Sequence, residues 1–163
     1  MNPFTIITAH DLNLGIGNTN SLPWIHKADM RWFKEKTIGV AVIMGRNTWE
    51  SLPEQYRPLP DRLNIVISSK DLNLPSGVIL VRSLDEALKV KAEEHMVIGG
   101  AILYKDAIKH EKCYGIFITK LENKYNCDTF FPKYTDLYKR EIVFHEGIEN
   151  DVKYSISFWE KKD

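Results

Sequence analysis

Four short apolar runs set the strongest limit on what this chain can fold into: FTIITA (Phe4 to Ala9), VAVIM (Val40 to Met44), LNIVIS (Leu63 to Ser68) and MVIG (Met96 to Gly99). Rich in β-branched residues, they read as strands. Several are unbroken rather than alternating, as expected where both faces of a sheet are covered by helices. Helix candidates lie between them at His26 to Thr37, Asn47 to Leu52, Leu84 to Glu93 and Ala101 to His110. The third opens on a capping box, with Ser83 three residues before Glu86. VILV (Val78 to Val81) follows the turn-rich LPSG and adds a strand. After YGIFITKL (Tyr114 to Leu121) the rhythm changes. YKREIVFHEG and VKYSISFWEK both alternate, and the short IENDV between them predicts a closing antiparallel hairpin. The expected fold class is α/β: a single domain over residues 1–163 with a predominantly parallel central β-sheet flanked by helices and a C-terminal antiparallel hairpin.

The first helix carries an anomaly. Wound at about 100° per residue, Lys27, Arg31, Lys34 and Glu35 gather on one side. Asp29 points the other way, sharing its side with Phe33 and Thr37 and flanked by Met30 and Trp32; Lys36 falls there too. A carboxylate on an apolar stripe needs a partner, because an isolated charge taken out of water is costly. Either the protein supplies that partner, through Lys36 or a backbone donor, or a ligand does.

Several strand ends run into Gly or Ser and then a helix or turn, at IMGRNTWES, VISSKD and VIGGAILY. In an open α/β sheet ligands gather at the carboxyl ends of strands, and helix starts offer free N–H groups to anions. Arg46, Ser68, Ser69 and Lys70 set basic and hydroxyl groups beside those ends, which suits a phosphate-bearing cofactor. The spacing fits neither the dinucleotide glycine fingerprint nor a P-loop, and GGA serves tight packing as readily as a ligand.

Charge narrows the partners. With 22 basic and 22 acidic residues, the chain has no net charge to draw it to nucleic acid or a membrane surface, and neither is expected as a partner. Cys113 and Cys127 make no disulfide framework. His110 and Cys113 lack a second ligand pair, so no metal is expected. The opening MNPFTIITAHDLNL has no basic region followed by a long apolar run, and no stretch spans a bilayer, so a cytoplasmic protein is expected.

Five segments taken together, LGIGNTNSLPWIHKADMRWFKEKT, VIMGRNTWESL, RPLPDRLNIVIS, MVIGGAILY and CDTFFP, resemble dihydrofolate reductase in order and separation. The resemblance covers nearly the whole chain, and the length is similar to that of compact bacterial members. It implies reduction of dihydrofolate to tetrahydrofolate by hydride from NADPH, in a monomer that also binds folate analogues. It further implies that Asp29 faces the pterin ring, accepting hydrogen bonds from its amino group and the adjacent ring nitrogen, so that the ligand is the missing partner. Thr119 would complete that recognition. Ile7 and Ala9 would line the pterin, Leu22, Met30, Phe33 and Leu52 would enclose the folate, and Arg62 would pair with the carboxylate of its glutamate tail.

For the cofactor, the resemblance assigns Arg46, Ser68 and Ser69 to the extra ribose phosphate, with Lys70 assisting. Asn47, Thr48, Gly100, Ala101 and Ile102 would offer amides to the pyrophosphate. Ala9, Ile16, Gly17, Gly45, Ile98, Leu103 and Tyr104 would complete the cofactor site, with Tyr104 beside the nicotinamide and Gly99–Gly100 as the family's cis peptide. Asp29 would act indirectly, holding the pterin and favouring its protonation while a water carries the proton. The Gly15 to Trp24 loop, with Asn18, Thr19 and Asn20 at its tip and Leu22 and Trp24 among the catalytic set, would close over the nicotinamide. Leu22 stands where the family often has methionine, Ala101 where it has a third glycine, and Ile102 where it sometimes has arginine; the LPEQYR connection is longer than in bacterial members. Two other readings share parts of the pattern: a reductase of a pyrimidine in riboflavin synthesis, and a nucleotide-binding regulator without catalysis.

Overall fold

β1 (Phe4–His10) lies inside an eight-stranded sheet because its two faces are both apolar. Ile6 packs against one core and Ile7 against another on the opposite face. In this computed structural model, which describes residues 1–19 and 21–161, β1 is flanked by β6 (His95–Gly99) and β7 (Cys113–Leu121), both parallel to it. Beyond β6 come β3 (Ala41–Gly45), β4 (Leu63–Ile67) and β5 (Ile79–Val81), also parallel. On the other side β10 (Val152–Lys161) and the edge strand β9 (Tyr138–Glu149) run antiparallel. A separate pair, β2 (Gly15–Gly17) with β8 (Thr129–Phe130), lies outside the main sheet and was not visible as strands in the sequence.

The connections follow from local chemistry. α1 (Lys27–Thr37) starts on His26, α2 (Arg46–Ser51) and α4 (Ala101–Ala107) start on Gly45 and Gly100, and α3 (Leu84–Lys89) is capped by Ser83, whose hydroxyl accepts from the Glu86 amide as the capping box requires. α3 stops four residues before the Glu93 expected from sequence. Val90 turns to an extended conformation, which lets Val90 and Ala92 pack against the core while His95 Nε2 lies 2.8 Å from the Val90 carbonyl. α4 likewise ends at Ala107 rather than His110. The closing hairpin turns at Asn150 and Asp151, both left-handed with φ of 52° and 64°, which is the two-residue turn matched to strand twist.

One face of the sheet packs α3 and α4 through Leu88, Leu103 and Ala107. The other packs Val42, Met44, Val66 and Met96 under α2's Trp49, with Trp32 and Phe33 of α1 half-buried beside them. Each large aliphatic chain so buried contributes roughly 1.5 to 3 kcal/mol. A third cluster, Trp24, Leu121, Tyr154 and Ile156, sits under the loop that leads into α1. No helix among the described residues is long and apolar enough to cross a membrane.

Candidate active site

Between β1 and β6 the ladder registers only Thr5 with Met96 and Ile6 with Val97. Further along, the Tyr104 hydroxyl lies 2.8 Å from the carbonyl oxygens of both Ile7 and Ile98, tying the strands together from α4. Burial pushes the Tyr104 phenol above its ordinary range, against a smaller opposing pull from the Thr8 hydroxyl, and the charge of Asp29 adds to the rise. Tyr104 is thus a neutral bridge at the carboxyl ends of the strands.

α1 forms one wall of this region. Its only fully buried residue is Thr37; Asp29, Trp32 and Phe33 are half-buried and Met30 is exposed. The stripe read from sequence as core-facing therefore meets the core at Trp32, Phe33 and Thr37, and opens to solvent at Met30, on the side of the cleft. Neither internal partner considered for Asp29 is present. Lys36 instead sits 4.4 Å from the centre of the Phe117 ring, and no salt bridge reaches the Asp29 carboxylate among the described residues. Desolvation raises its proton affinity above the ordinary value of 3.8, opposed by the Thr119 hydroxyl and His26 and assisted by Glu149.

Thr119 on β7 registers opposite Ala9 of β1, so the strand pairing carries its side chain to the Asp29 side of the sheet. Its hydroxyl is buried and, its pull on Asp29 apart, has no hydrogen-bond partner among the described residues. The indole N–H of Trp24, which packs on Tyr125, likewise has none. Buried polar atoms without a protein partner are completed by water or a ligand; Thr5, Arg57 and His95 carry others away from this region, so it is the pairing of Thr119 with Asp29 that points to a site here. Leu22 and Met30 are 56% and 59% exposed, apolar surface that a bound ring system would cover.

At the other side of the cleft the ends of β3 and β6 meet. Gly45 lies 4.0 Å, measured from where its Cβ would be, from the Gly100 nitrogen. A Cβ on either Gly99 or Gly100 would stand 3.1 Å from Thr48 Oγ1, so the Thr48 side chain lies directly on this backbone. The Gly99–Gly100 peptide is cis. α2 and α4 both start here with no side chain capping their first amides, leaving N–H groups of Asn47, Thr48, Ala101 and Ile102 for an anion. Ile102 is 81% exposed, whereas the Leu103 side chain belongs to the core, so only its backbone could serve a ligand. Ile98 is half-buried behind the cradle, and Ile16 and Gly17 of β2 are half-buried in the adjoining loop.

Basic groups gather at the outer end. Arg46 Nε donates to Glu50 at 2.6 Å. Ser68 is buried and accepts from the Lys70 amide, while Ser69 and Lys70 are exposed. Arg82, which the sequence reading passed over, donates to the Ser68 carbonyl and pairs with Asp71. Its signal was a basic residue at the exit of the next parallel strand. At the opposite end, Arg62 Nε donates to Thr37 Oγ1 at 2.9 Å and Nη1 to the Pro60 carbonyl. This orients the guanidinium and leaves Nη2 without a protein acceptor among the described residues; Leu52 is half-buried at the end of α2.

The loop from Gly15 to Trp24 is fastened to the segment 123–128. Asp11 has no exposed surface and accepts from the amides of Asn13, Gly15 and Tyr125. Burial alone would raise its carboxyl, but those amides and the Cys127 thiol hold it below the ordinary value. Thr19 N donates to Asp128, and Asn18 to the Asn126 carbonyl. Asn20, named with this loop tip, lies outside the described residues. Asp11 escaped the sequence reading, although D-x-N-x-G after a strand is the pattern of a side chain that binds the amides of its own turn.

Residues 3–161 match the family model for dihydrofolate reductase. Dihydrofolate reductases of Drosophila melanogaster and Heliothis virescens are 36% and 39% identical to the chain, the alignments covering 97% and 94% of it and 97% and 92% of theirs. That of Pneumocystis carinii is 38% identical over 90% of the chain and 84% of its own length. Because the match runs through the strands that carry the cleft as well as the loops that line it, the chain belongs to the dihydrofolate reductase family.

Proposed function

We propose that this protein reduces dihydrofolate to tetrahydrofolate with NADPH, supplying one-carbon and thymidylate synthesis. The observation that carries the reading is the Asp29 carboxylate: half-buried, raised by desolvation, and paired with no lysine or arginine among the described residues, with the buried Thr119 hydroxyl on the strand facing it. A pterin offers the amino and ring N–H donors that two carboxylate oxygens accept together. Met30, Phe33, Leu22 and Leu52 supply the apolar surround, with Ile7 and Ala9 beneath the ring, and the free edge of Arg62 suits the carboxylate of the glutamate tail.

The cradle fits a dinucleotide: backbone amides at two uncapped helix starts, glycines where a Cβ would crowd Thr48, and Arg46, Ser69, Lys70 and Arg82 near the outer end for an extra phosphate. NADPH, when bound, supplies the hydride. Asp29 holds the pterin and favours protonation of its imine nitrogen electrostatically, leaving a water to deliver the proton. Trp24, with its open indole N–H, and Thr119 give that water and the ring places to bond. Tyr104 keeps β1 and β6 at fixed spacing beneath the reacting ring, and the Gly15 to Trp24 loop excludes bulk water.

The test is the initial rate of NADPH consumption with dihydrofolate, run beside the pyrimidine substrate of riboflavin synthesis. Turnover confined to dihydrofolate is expected. Turnover with the pyrimidine alone, or with neither, removes the reading.

A further inference from the structure

The start of α1 presents three amides that the helix itself cannot satisfy, those of Lys27, Ala28 and Asp29. All three are taken by side chains. His26 Nδ1 accepts from the Asp29 amide at 3.1 Å, and the two oxygens of Glu149 accept from Lys27 and Ala28 at 2.7 and 3.1 Å. Glu149 comes from the last residue of β9, 122 positions away from Lys27, so the C-terminal hairpin reaches across to this helix end. Asp29 is itself in the first turn, where the positive end of the helix attracts a carboxylate. The three first-turn amides are occupied by His26 and Glu149, and the Asp29 carboxylate bonds none of them.

We propose that His26 and Glu149 are positioning residues, which by occupying the helix-start amides deny Asp29 an intrahelical partner and keep its carboxylate turned toward the substrate. Nothing in the motifs required this, since the acceptor on which it depends lies in the last quarter of the chain. His26 is fixed in turn: it is buried, meets Tyr154 of β10 edge-on at 4.5 Å, and its Nδ1 lies 3.8 Å from Glu149, while Tyr154 bonds His145 of β9 at 3.1 Å. With Nδ1 accepting from the Asp29 amide, the ring N–H is on Nε2, which is buried and has no partner among the described residues.

The polar groups facing the Asp29 carboxylate are His26 and Glu149 at the helix start, Thr119 on β7 and Tyr104 on α4, while Arg31 faces Glu149. Glu149's charge adds to the rise in Asp29's proton affinity. Loss of Glu149 therefore acts in one direction by two routes: the repelling charge goes, and two amides are freed to bind Asp29.

The kinetic arm rests on the reductase reading; a spectroscopic arm does not. The carbon-13 resonance of the Asp29 carboxyl is titrated in unligated parent, Glu149→Ala, Glu149→Gln, His26→Ala and His26→Asn, each alongside a thermal melt. In Glu149→Ala the Asp29 midpoint is expected to fall, with KM for dihydrofolate rising about tenfold, the size of one lost charge-assisted hydrogen bond. Glu149→Gln keeps an acceptor oxygen without the charge, so its midpoint falls but most of the KM is restored. His26→Asn, which retains a cap acceptor, is expected to restore what His26→Ala loses. If the Asp29 midpoint and KM stay at parent values in Glu149→Ala while the melting temperature drops, the pair is only a structural cap and the inference is overturned. A parent that never consumes NADPH with dihydrofolate would remove the reductase reading instead, and the titration would still decide whether Glu149 governs Asp29.

Discussion

At Asp29 the cost of an unpartnered carboxylate falls on the unligated protein. Its folded-state proton affinity is raised above 3.8 by desolvation, so between that value and the raised one the folded protein holds the proton more tightly than the unfolded chain. Stability on this account declines as pH rises through the window and stays diminished above it. Asp29→Asn should therefore raise the melting temperature of the unligated protein at neutral pH, with the gain shrinking as pH falls toward 3.8. The same variant should keep NADPH binding and lose most turnover, the missing charged pairing costing roughly 2 to 5 kcal/mol. Calorimetry and steady-state rates on one preparation check both halves, and a variant that turns over like the parent ends the assignment. Arg62 is the residue proposed for the other end of the substrate. Arg62→Leu should weaken folate by roughly tenfold or more while scarcely changing affinity for a pterin without the glutamate tail, since a charge-assisted hydrogen bond is worth about 1.5 to 3 kcal/mol; equal losses for both ligands would remove the clamp.

The loop that leads into α1 is held as an element, not by its own strand pairing, which spans only Gly15 to Gly17 against Thr129 and Phe130. Asp11 is the fastening. It binds amides on both sides of the gap, and Gly15 can lie against it only as glycine, because a Cβ there would meet Cys127 Sγ at 2.5 Å. Asp11→Ala leaves three amides without their acceptor and should destabilise the protein by roughly 2 to 4 kcal/mol. Faster exchange at the amides of Gly15 and Tyr125 would show that the loop has come loose. Hydrogen exchange unchanged at those two positions would contradict the role.

Across the whole molecule, acid stability should follow the carboxylates that join separate segments. Asp11, Asp128 and Glu149 are all held below their ordinary values by hydrogen bonds that outweigh desolvation or act with little of it. Groups of that kind contribute stability above their unfolded values, 3.8 for the aspartates and 4.5 for the glutamate, and lose it as pH falls through the depressed ones. The melting temperature should thus fall below about pH 4, and less steeply in Asp11→Ala than in the parent. A parallel fall in both would show that other groups govern acid unfolding.

The sequence by itself determined the strands, the order of helices between them, the capping box at Ser83 and the segments that carry the cleft. These are local properties: β-branched runs, periodicity, and turn chemistry act within a few residues. It also marked Asp29 as a charge on the wrong side of its helix, on a stripe that joins the core at Trp32, Phe33 and Thr37 and opens to solvent at Met30. Only the tertiary structure decided why the carboxylate stays free. The acceptor that takes its helix's amides is Glu149, brought from the far hairpin, and the hydroxyl that faces it is Thr119, brought by pairing β7 to β1. Such contacts join residues about a hundred positions apart, and no local pattern encodes which of many carboxylates or hydroxyls the fold will deliver.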